Sequence, residues 1–217
     1  MQNYSDQYYS QERPELLELI LSSGGIRSVL DLGCGFGYLG RALKAKGARL
    51  VEGVELNPRA ASVAMSNLDR VLLGSIENKG IIEKLSKYDC IICGDILEHL
   101  VDPWATLIRL KSHLEQEGRI VASLPNIRYF KILYDLIFKG TWEYKPEGIL
   151  DQGHLRFFTK KESVKMFRQT GYEICLIKYK YTKYFDTLNR LTFKIFNDFF
   201  TFQFLLVAKI ATNNREC

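Results

Sequence analysis

Proline and tryptophan are scarce in this chain of 217 residues, at five and two, and histidine occurs only three times. No Pro/Gly/Ser-rich linker interrupts it, so a single domain with one sizeable core is expected. The five cysteines, Cys34, Cys90, Cys93, Cys175 and Cys217, are an odd number. They fall mostly within predicted strands, which reads as reduced core thiols. Cys90-Ile91-Ile92-Cys93 has a metal-type spacing, but residues three apart on a strand face opposite ways, so no metal site is expected. No run approaches the roughly 18 apolar residues of a membrane span, and the opening Met-Gln-Asn-Tyr-Ser-Asp carries no basic and apolar leader. The expectation is a soluble, cytoplasmic protein.

Charge is present in quantity and unevenly placed. The first 110 residues hold 12 Lys/Arg against 14 Asp/Glu, the remainder 18 against 11. A basic second half favours an anionic small-molecule substrate or an acidic surface, and no nucleic-acid motif accompanies it. Segment 178–204 interleaves Lys178, Lys180, Lys183, Arg190 and Lys194 with tyrosines and phenylalanines. Packing on the chain's own sheet, a homodimer surface, a lid over an apolar substrate and a membrane-surface contact for a lipid-linked one all remain open for residues 180–204.

Strand and helix signals alternate. Pro14 to Ser22 reads as a helix, placed by its Pro start and Gly24-Gly25 stop. Strands follow at Ser28–Leu32, Leu50–Glu55, Arg70–Leu73, Tyr88–Cys93 and Arg119–Leu124. Helices are expected at Tyr38–Lys46, from Asn57-Pro58 to about Leu68, at Ile81–Leu85 and from Asp102-Pro103 to about Leu114. Residues 126–158 form an insertion with a helix over Ile127–Lys139. Thr159 to Glu162 is a capping box for a helix closing near Gly171. Tyr172–Tyr179 and Phe202–Ile210 read as the last strands, with a helix at about Tyr184–Phe200 between them. The pattern predicts an α/β fold: a Rossmann-like, mostly parallel sheet with helices on both faces and ligands beyond the strands' carboxyl ends.

Two motifs stand at those ends. Val29-Leu30-Asp31-Leu32-Gly33-Cys34-Gly35 is a buried strand closed by an acid and opening into glycines, whose missing Cβ lets a backbone approach a nucleotide-like ligand. Glu55 ends the next strand, where such folds place a carboxylate on ribose hydroxyls. Gly35-Phe36-Gly37-Tyr38-Leu39-Gly40 also satisfies a dinucleotide fingerprint, and Tyr179 to Lys183 a dehydrogenase spacing. Asp31 lies too near a would-be pyrophosphate for that reading, so an NAD(P)-dependent oxidoreductase is the lesser alternative.

With Asp95-Ile96-Leu97-Glu98-His99-Leu100-Val101-Asp102-Pro103 added, the chain resembles the class I S-adenosylmethionine-dependent methyltransferases. The likeness is to their quinone and small-molecule branch and, through Gly148 to Thr159, to enzymes of surface-polysaccharide pathways. It implies a seven-stranded sheet with an antiparallel last strand, S-adenosylmethionine as cofactor, and methyl transfer to a hydroxyl of a sugar or quinone-like acceptor. A catalytically inactive cofactor-binding scaffold is the other class of answer. Residue by residue, the resemblance implies cofactor contacts at Asp31, Gly33, Gly35, Glu55, Ser75, Ile76 and Asp95. It also folds Tyr8, Tyr9 and Arg13 of an N-terminal lid, residues 1–25, over the cofactor. His99 and His154 compete as the base, and Arg156 would bind substrate; residues 126–158 and 180–201 are the substrate-side insertions.

Overall fold

The computed structural model of the chain describes residues 6–182 and 196–212. Seven strands in that range form one sheet: β1 (Ser28–Leu32), β2 (Leu50–Glu55), β3 (Arg70–Leu73), β4 (Tyr88–Gly94), β5 (Leu114–Pro125), β6 (Tyr172–Tyr181) and β7 (Thr201–Ile210). Their order is β3-β2-β1-β4-β5-β7-β6. The first five are mutually parallel, and β7 runs antiparallel to both β5 and β6. From β1 the chain builds outward through β2 and β3, then returns to add β4 and β5 on the other side. The crevice at that reversal is where open α/β sheets bind ligands.

Helices cover both faces because each central strand is apolar on both sides. On one face Leu30, Leu32, Ile91, Cys93, Ile120 and Ala122 pack under α6 (Pro103–Leu110) and α8 (Lys160–Gln169). On the other, Val29, Val51, Cys90, Ile92 and Val121 pack under α2 (Pro14–Ser22), α3 (Tyr38–Ala45) and α4 (Pro58–Ala64). Cys90 and Cys93 therefore belong to opposite cores, as the strand periodicity requires. Asn57, Asp102 and Thr159 accept backbone N–H bonds at the starts of α4, α6 and α8. A four-residue α1 (Asp6–Tyr9) precedes α2, and α5 (Lys79–Ile82), α7 (Phe130–Lys139) and a short α9 (Asn197–Phe200) complete the helices described.

Several boundaries differ from the sequence expectation. The fifth strand starts at Leu114, because Leu114 already pairs with Tyr88 and the register shifts before Arg119. Gly118, expected as a stop, lies inside the strand at that irregularity, where a Cβ would sit 2.8 Å from the carbonyl oxygen of Glu115. Helix α4 ends at Ala64 rather than near Leu68, and α5 covers Lys79–Ile82 rather than Ile81–Leu85. Helix α7 begins at Phe130, not Ile127, because the Ile127 N–H is drawn to the Phe158 carbonyl and the Asn126 side chain accepts from Arg128 N–H. Most of the helix expected over Tyr184–Phe200 lies outside the described residues.

Arg119 has no sequence signal, yet it ties two layers together. Its side chain is 3% exposed and donates to Ser23 Oγ and to the carbonyls of Ile20, Gly24 and Gly25 at 2.8–3.1 Å. A buried guanidinium thus satisfies the carbonyl end of α2, where a positive charge also suits the helix dipole. Replacement by Leu leaves those acceptors buried without donors. Arg119→Leu is expected to cost about 2–4 kcal/mol, measured as a lowered urea midpoint with unchanged m-value.

Candidate active site

Pairing aligns the carboxyl ends of the central strands. Asp31 lies opposite Gly53 and Ile92, and Glu55 and Asp95 follow on the same edge. The three acids line a cavity of about 280 Å3, together with Gly33, Gly35 and His99. That is near the lower end of small-ligand pockets, roughly 300–1,000 Å3.

Each carboxylate is held differently. Glu55, at the end of β2, accepts from Gly35 N–H at 2.9 Å and Asn57 N–H at 2.8 Å. Burial pushes its carboxyl up, and those backbone bonds oppose the shift. A carboxylate offers about four lone-pair sites, so two remain for a diol. Asp95, just after β4, is left-handed at φ 52° and is gripped from three elements. Arg13 donates at 2.9 Å, Ser123 Oγ of β5 at 2.9 Å, and Gln203 of β7 through its side-chain amide. Asp31 is 5% exposed, and burial raises its pKa to about 7; Arg13 pulls it down and Glu55 pushes it up.

The N-terminal segment straps the mouth. Phe36 N–H donates to the Tyr9 carbonyl at 2.9 Å, Asn57 Nδ2 to Tyr9 Oη at 3.1 Å, and Arg59 pairs with Asp6 at 2.7 Å. Gly35 is the fitted partner of this strap: its φ is 55°, and a Cβ there would lie 2.6 Å from the Tyr9 carbonyl oxygen.

His99 forms the other wall. Its Nδ1 is 3.1 Å from the Gly153 carbonyl oxygen, so the proton belongs on Nδ1 and a lone pair on Nε2, which lies 3.4 Å from Tyr8 Oη. Burial lowers the imidazole pKa, and neighbouring His154 lowers it further. The two rings stand 4.6 Å apart, edge to face. His154 is buried behind His99, with Nδ1 2.9 Å from the Ile149 carbonyl oxygen and Nε2 3.9 Å from Glu98. Burial pushes the Glu98 carboxyl well up, and among the described residues both its oxygens lack a hydrogen-bond partner. Ligand-type atoms of Glu98, His99 and His154 lie within 4.8 Å of one another.

A family model described as a methyltransferase domain matches residues 1–176. The chain belongs to the methyltransferase-domain family. Among curated relatives, the methyltransferase is 28% identical to the ubiquinone biosynthesis O-methyltransferase of Aromatoleum aromaticum over 169 residues, 74% of this chain and 70% of that protein. It is 30% identical to the Coxiella burnetii protein of the same name over 131 residues, 54% of this chain and 56% of that one. In fold it is similar to a S-adenosylmethionine-dependent methyltransferase from Archaeoglobus fulgidus, with TM-score 0.66, 18% identity, and 94% of each chain covered. Magnesium protoporphyrin IX methyltransferase from Synechocystis gives TM-score 0.64 at 17% identity, covering 95% of this chain and 83% of that one.

S-adenosylmethionine is the cofactor, and the residues present fit it. The positive φ of Gly33 and Gly35 leaves backbone, not side chain, against the cavity. A desolvated Asp31 suits the ammonium of the methionine part, and the remaining acceptor capacity of Glu55 suits ribose hydroxyls. Tyr9, Arg13, Asp31, Gly33, Gly35, Glu55, Asp95 and His99 all line the cavity. Ser75, Ile76, His154 and Arg156 do not. The Ser75 hydroxyl accepts from Glu77 N–H, capping a turn, and Ile76 is in the core. Arg156 is spent on the carbonyls of Val101 and Leu155. Tyr179, offered by the oxidoreductase alternative, lies within reach of Lys160 Nζ at 3.4 Å and lines no part of the cavity. The sequence reading did not single out Gln11, Ile96, Gly153, Ser123 or Gln203 as site residues; only Asn57 carried a signal, and that as a helix cap.

The protonation of Asp31 gives a signed test. Its folded-state pKa lies above the usual carboxylate value, so its ionisation costs stability above about pH 7, and that cost fades as pH falls toward 4. Asp31→Asn is therefore expected to stabilise the ligand-free protein by roughly 2 kcal/mol at pH 8, with the gain vanishing near pH 4 in thermal unfolding. The same variant should bind S-adenosylmethionine roughly tenfold or more weakly by calorimetry. Equal affinity would remove Asp31 from the cofactor.

Proposed function

We propose that the methyltransferase moves the methyl group of S-adenosylmethionine to a hydroxyl oxygen of a small molecule, with His99 as the base. The observation that carries this reading is the imidazole itself: anchored through Nδ1, kept neutral by burial, and presenting Nε2 to the cavity beside a hydroxyl. The bound cofactor supplies a methyl group on a sulfonium, which needs no further activation. The chain's task is then to hold the acceptor in line, exclude water and take one proton. Arg13 and the Tyr8–Tyr9 strap close the site, Asp95 with Ser123 and Gln203 fixes its far wall, and Nε2 of His99 receives the acceptor proton. Histidine 154 acts through His99 by packing on its ring.

Of the two acceptor classes expected from sequence, the quinone-like one has the support of the relatives' names. The Tyr8 phenol at Nε2 adds to it, since that position accommodates an aryl hydroxyl. A sugar acceptor rests on the Gly148–Thr159 likeness alone. A cytoplasmic setting agrees with the four described cysteines being free thiols.

Transfer of radiolabelled methyl to a dihydroxybenzene probe and to a free hexose tests both acceptor classes. Transfer to neither would favour the inactive scaffold. His99→Ala is expected to lower kcat by about 10²–10⁴, a far larger effect than on cofactor affinity. In the wild type, the acidic limb of the rate profile should fall below the ordinary imidazole value of about 6.5, because His99 stays neutral to lower pH.

A further inference from the structure

The cofactor cavity, at about 280 Å3, lies at the lower end of the range for a single small ligand and leaves little room for an acceptor beside a nucleoside joined to an amino acid. A second cavity of about 300 Å3 adjoins it, and Arg13 and Asp95 line both. The ion pair of those two side chains, at 2.9 Å, is therefore the boundary between them. The second cavity sits at the same carboxyl edge of the sheet. Ser123 lines it near the end of β5, Lys180 near the end of β6 and Gln203 near the start of β7. Glu15, in the first turn of α2, lines it as well.

Charge at this cavity cancels pairwise. Lys180 Nζ lies 3.0 Å from a Glu15 carboxylate oxygen, Arg13 pairs with Asp95, and Lys178 meets Glu18 at 3.1 Å one turn along α2. Two of the cations that make the second half of the chain basic are thus spent on acids of α2. Hydrogen-bonding capacity remains. Gln203 donates an amide N–H to Asp95 and keeps its carbonyl oxygen as an acceptor, and an ammonium has three donors, of which Lys180 gives one to Glu15. Buried Leu16 and Leu205 supply apolar lining, which suits the carbon skeleton of a ring. A charged ligand group would have to break an existing pair to find a partner, whereas an uncharged hydroxyl or carbonyl can use what the pairs leave over.

We infer that the second cavity is the acceptor subsite and takes an uncharged, hydroxyl- or carbonyl-bearing flank of the acceptor, with the Lys180–Glu15 pair as the filter against charged ones. The inference rests on the methyl-transfer reading above and deepens it. An acceptor seated there runs along the Arg13–Asp95 pair, with its reacting hydroxyl on the side that His99 lines. Aryl diols and sugars both carry such flanks, so the filter selects on charge and not on ring type.

Calorimetry on the full chain saturated with S-adenosylhomocysteine tests it with two probe series. One consists of catechols bearing a carboxamide, a carboxylate or an aminomethyl group para to one hydroxyl, the other of glucose, glucuronate and glucosamine. The neutral member of one series is expected to bind more tightly than its charged analogues, and the series that binds identifies the ring. Glu15→Gln frees the Lys180 ammonium and should improve binding of the carboxylate by about fivefold, the upper range for a part-exposed ion pair. Lys180→Gln should do the same for the ammonium probe. The two side chains are 45% and 38% exposed, so the fold tolerates both changes, and neither should alter affinity for S-adenosylmethionine. No binding by either series, or charge preferences that stay the same in both variants, overturns the inference. Probes that bind as expected but receive no methyl group support the subsite and sink the methyl-transfer reading instead; methyl transfer whose charge preference neither variant moves sinks the subsite alone.

Discussion

Three carboxylates gathered at one end of a mostly parallel sheet, two of them buried, set the terms for the rest of this structure. The register of β1 against β2 and β4 brings Asp31, Glu55 and Asp95 to one crevice, where burial and then the neighbouring Glu55 disfavour the ionisation of Asp31. The protein answers each separately. Glu55 takes the backbone N–H groups of Gly35 and Asn57, Asp95 takes Arg13, Ser123 and Gln203, and Asp31 takes a proton more readily than a free carboxyl would. An incoming cation would therefore meet, in Asp31, a group already held at a cost.

The N-terminal strap follows from the same constraint. Arg13 is the only cation facing Asp31 and Asp95 among the described cavity-lining residues, and it arrives in a left-handed conformation at φ 48°. Asp95, its partner, is left-handed as well. Two strained backbones held together by one ion pair are the sort of feature a fold retains for its site, since each such conformation costs of order 1–3 kcal/mol. The strap also needs Gly35, whose missing side chain makes room for the Tyr9 carbonyl. The glycine motif thus serves the ligand on one side and the strap on the other.

The strand-helix alternation and the acids and glycines that line the cavity were legible in the sequence because both are local. Asp31, Gly33, Gly35 and Glu55 sit within single strand-turn units, where periodicity and residue type are enough. The groups that complete the site were not legible. Ser123 meets Asp95 because β5 pairs with β4 and sets Ser123 opposite Gly94, and Gln203 because β7 inserts antiparallel between β5 and β6; no short-range spacing encodes either meeting. Arg119 looked like an ordinary strand residue until α2 placed its carbonyl end above it. Ser75 and Arg156 went the other way: residue types suited to ligands turned out to be bonded to nearby backbone groups.

The antiparallel insertion of β7 has a consequence for how such a chain can change. Gln203 begins its strand, whereas the other sheet residues that touch the site end theirs, so the connection between Tyr181 and Asn197 enters and leaves at the functional edge. The cavity contacts, by contrast, come from residues before 100, apart from Gly153. Most of the cavity wall and the late strand pair are thus carried by separate stretches of chain, joined at the Gln203–Asp95 bond, so one can diverge in sequence while the other is held.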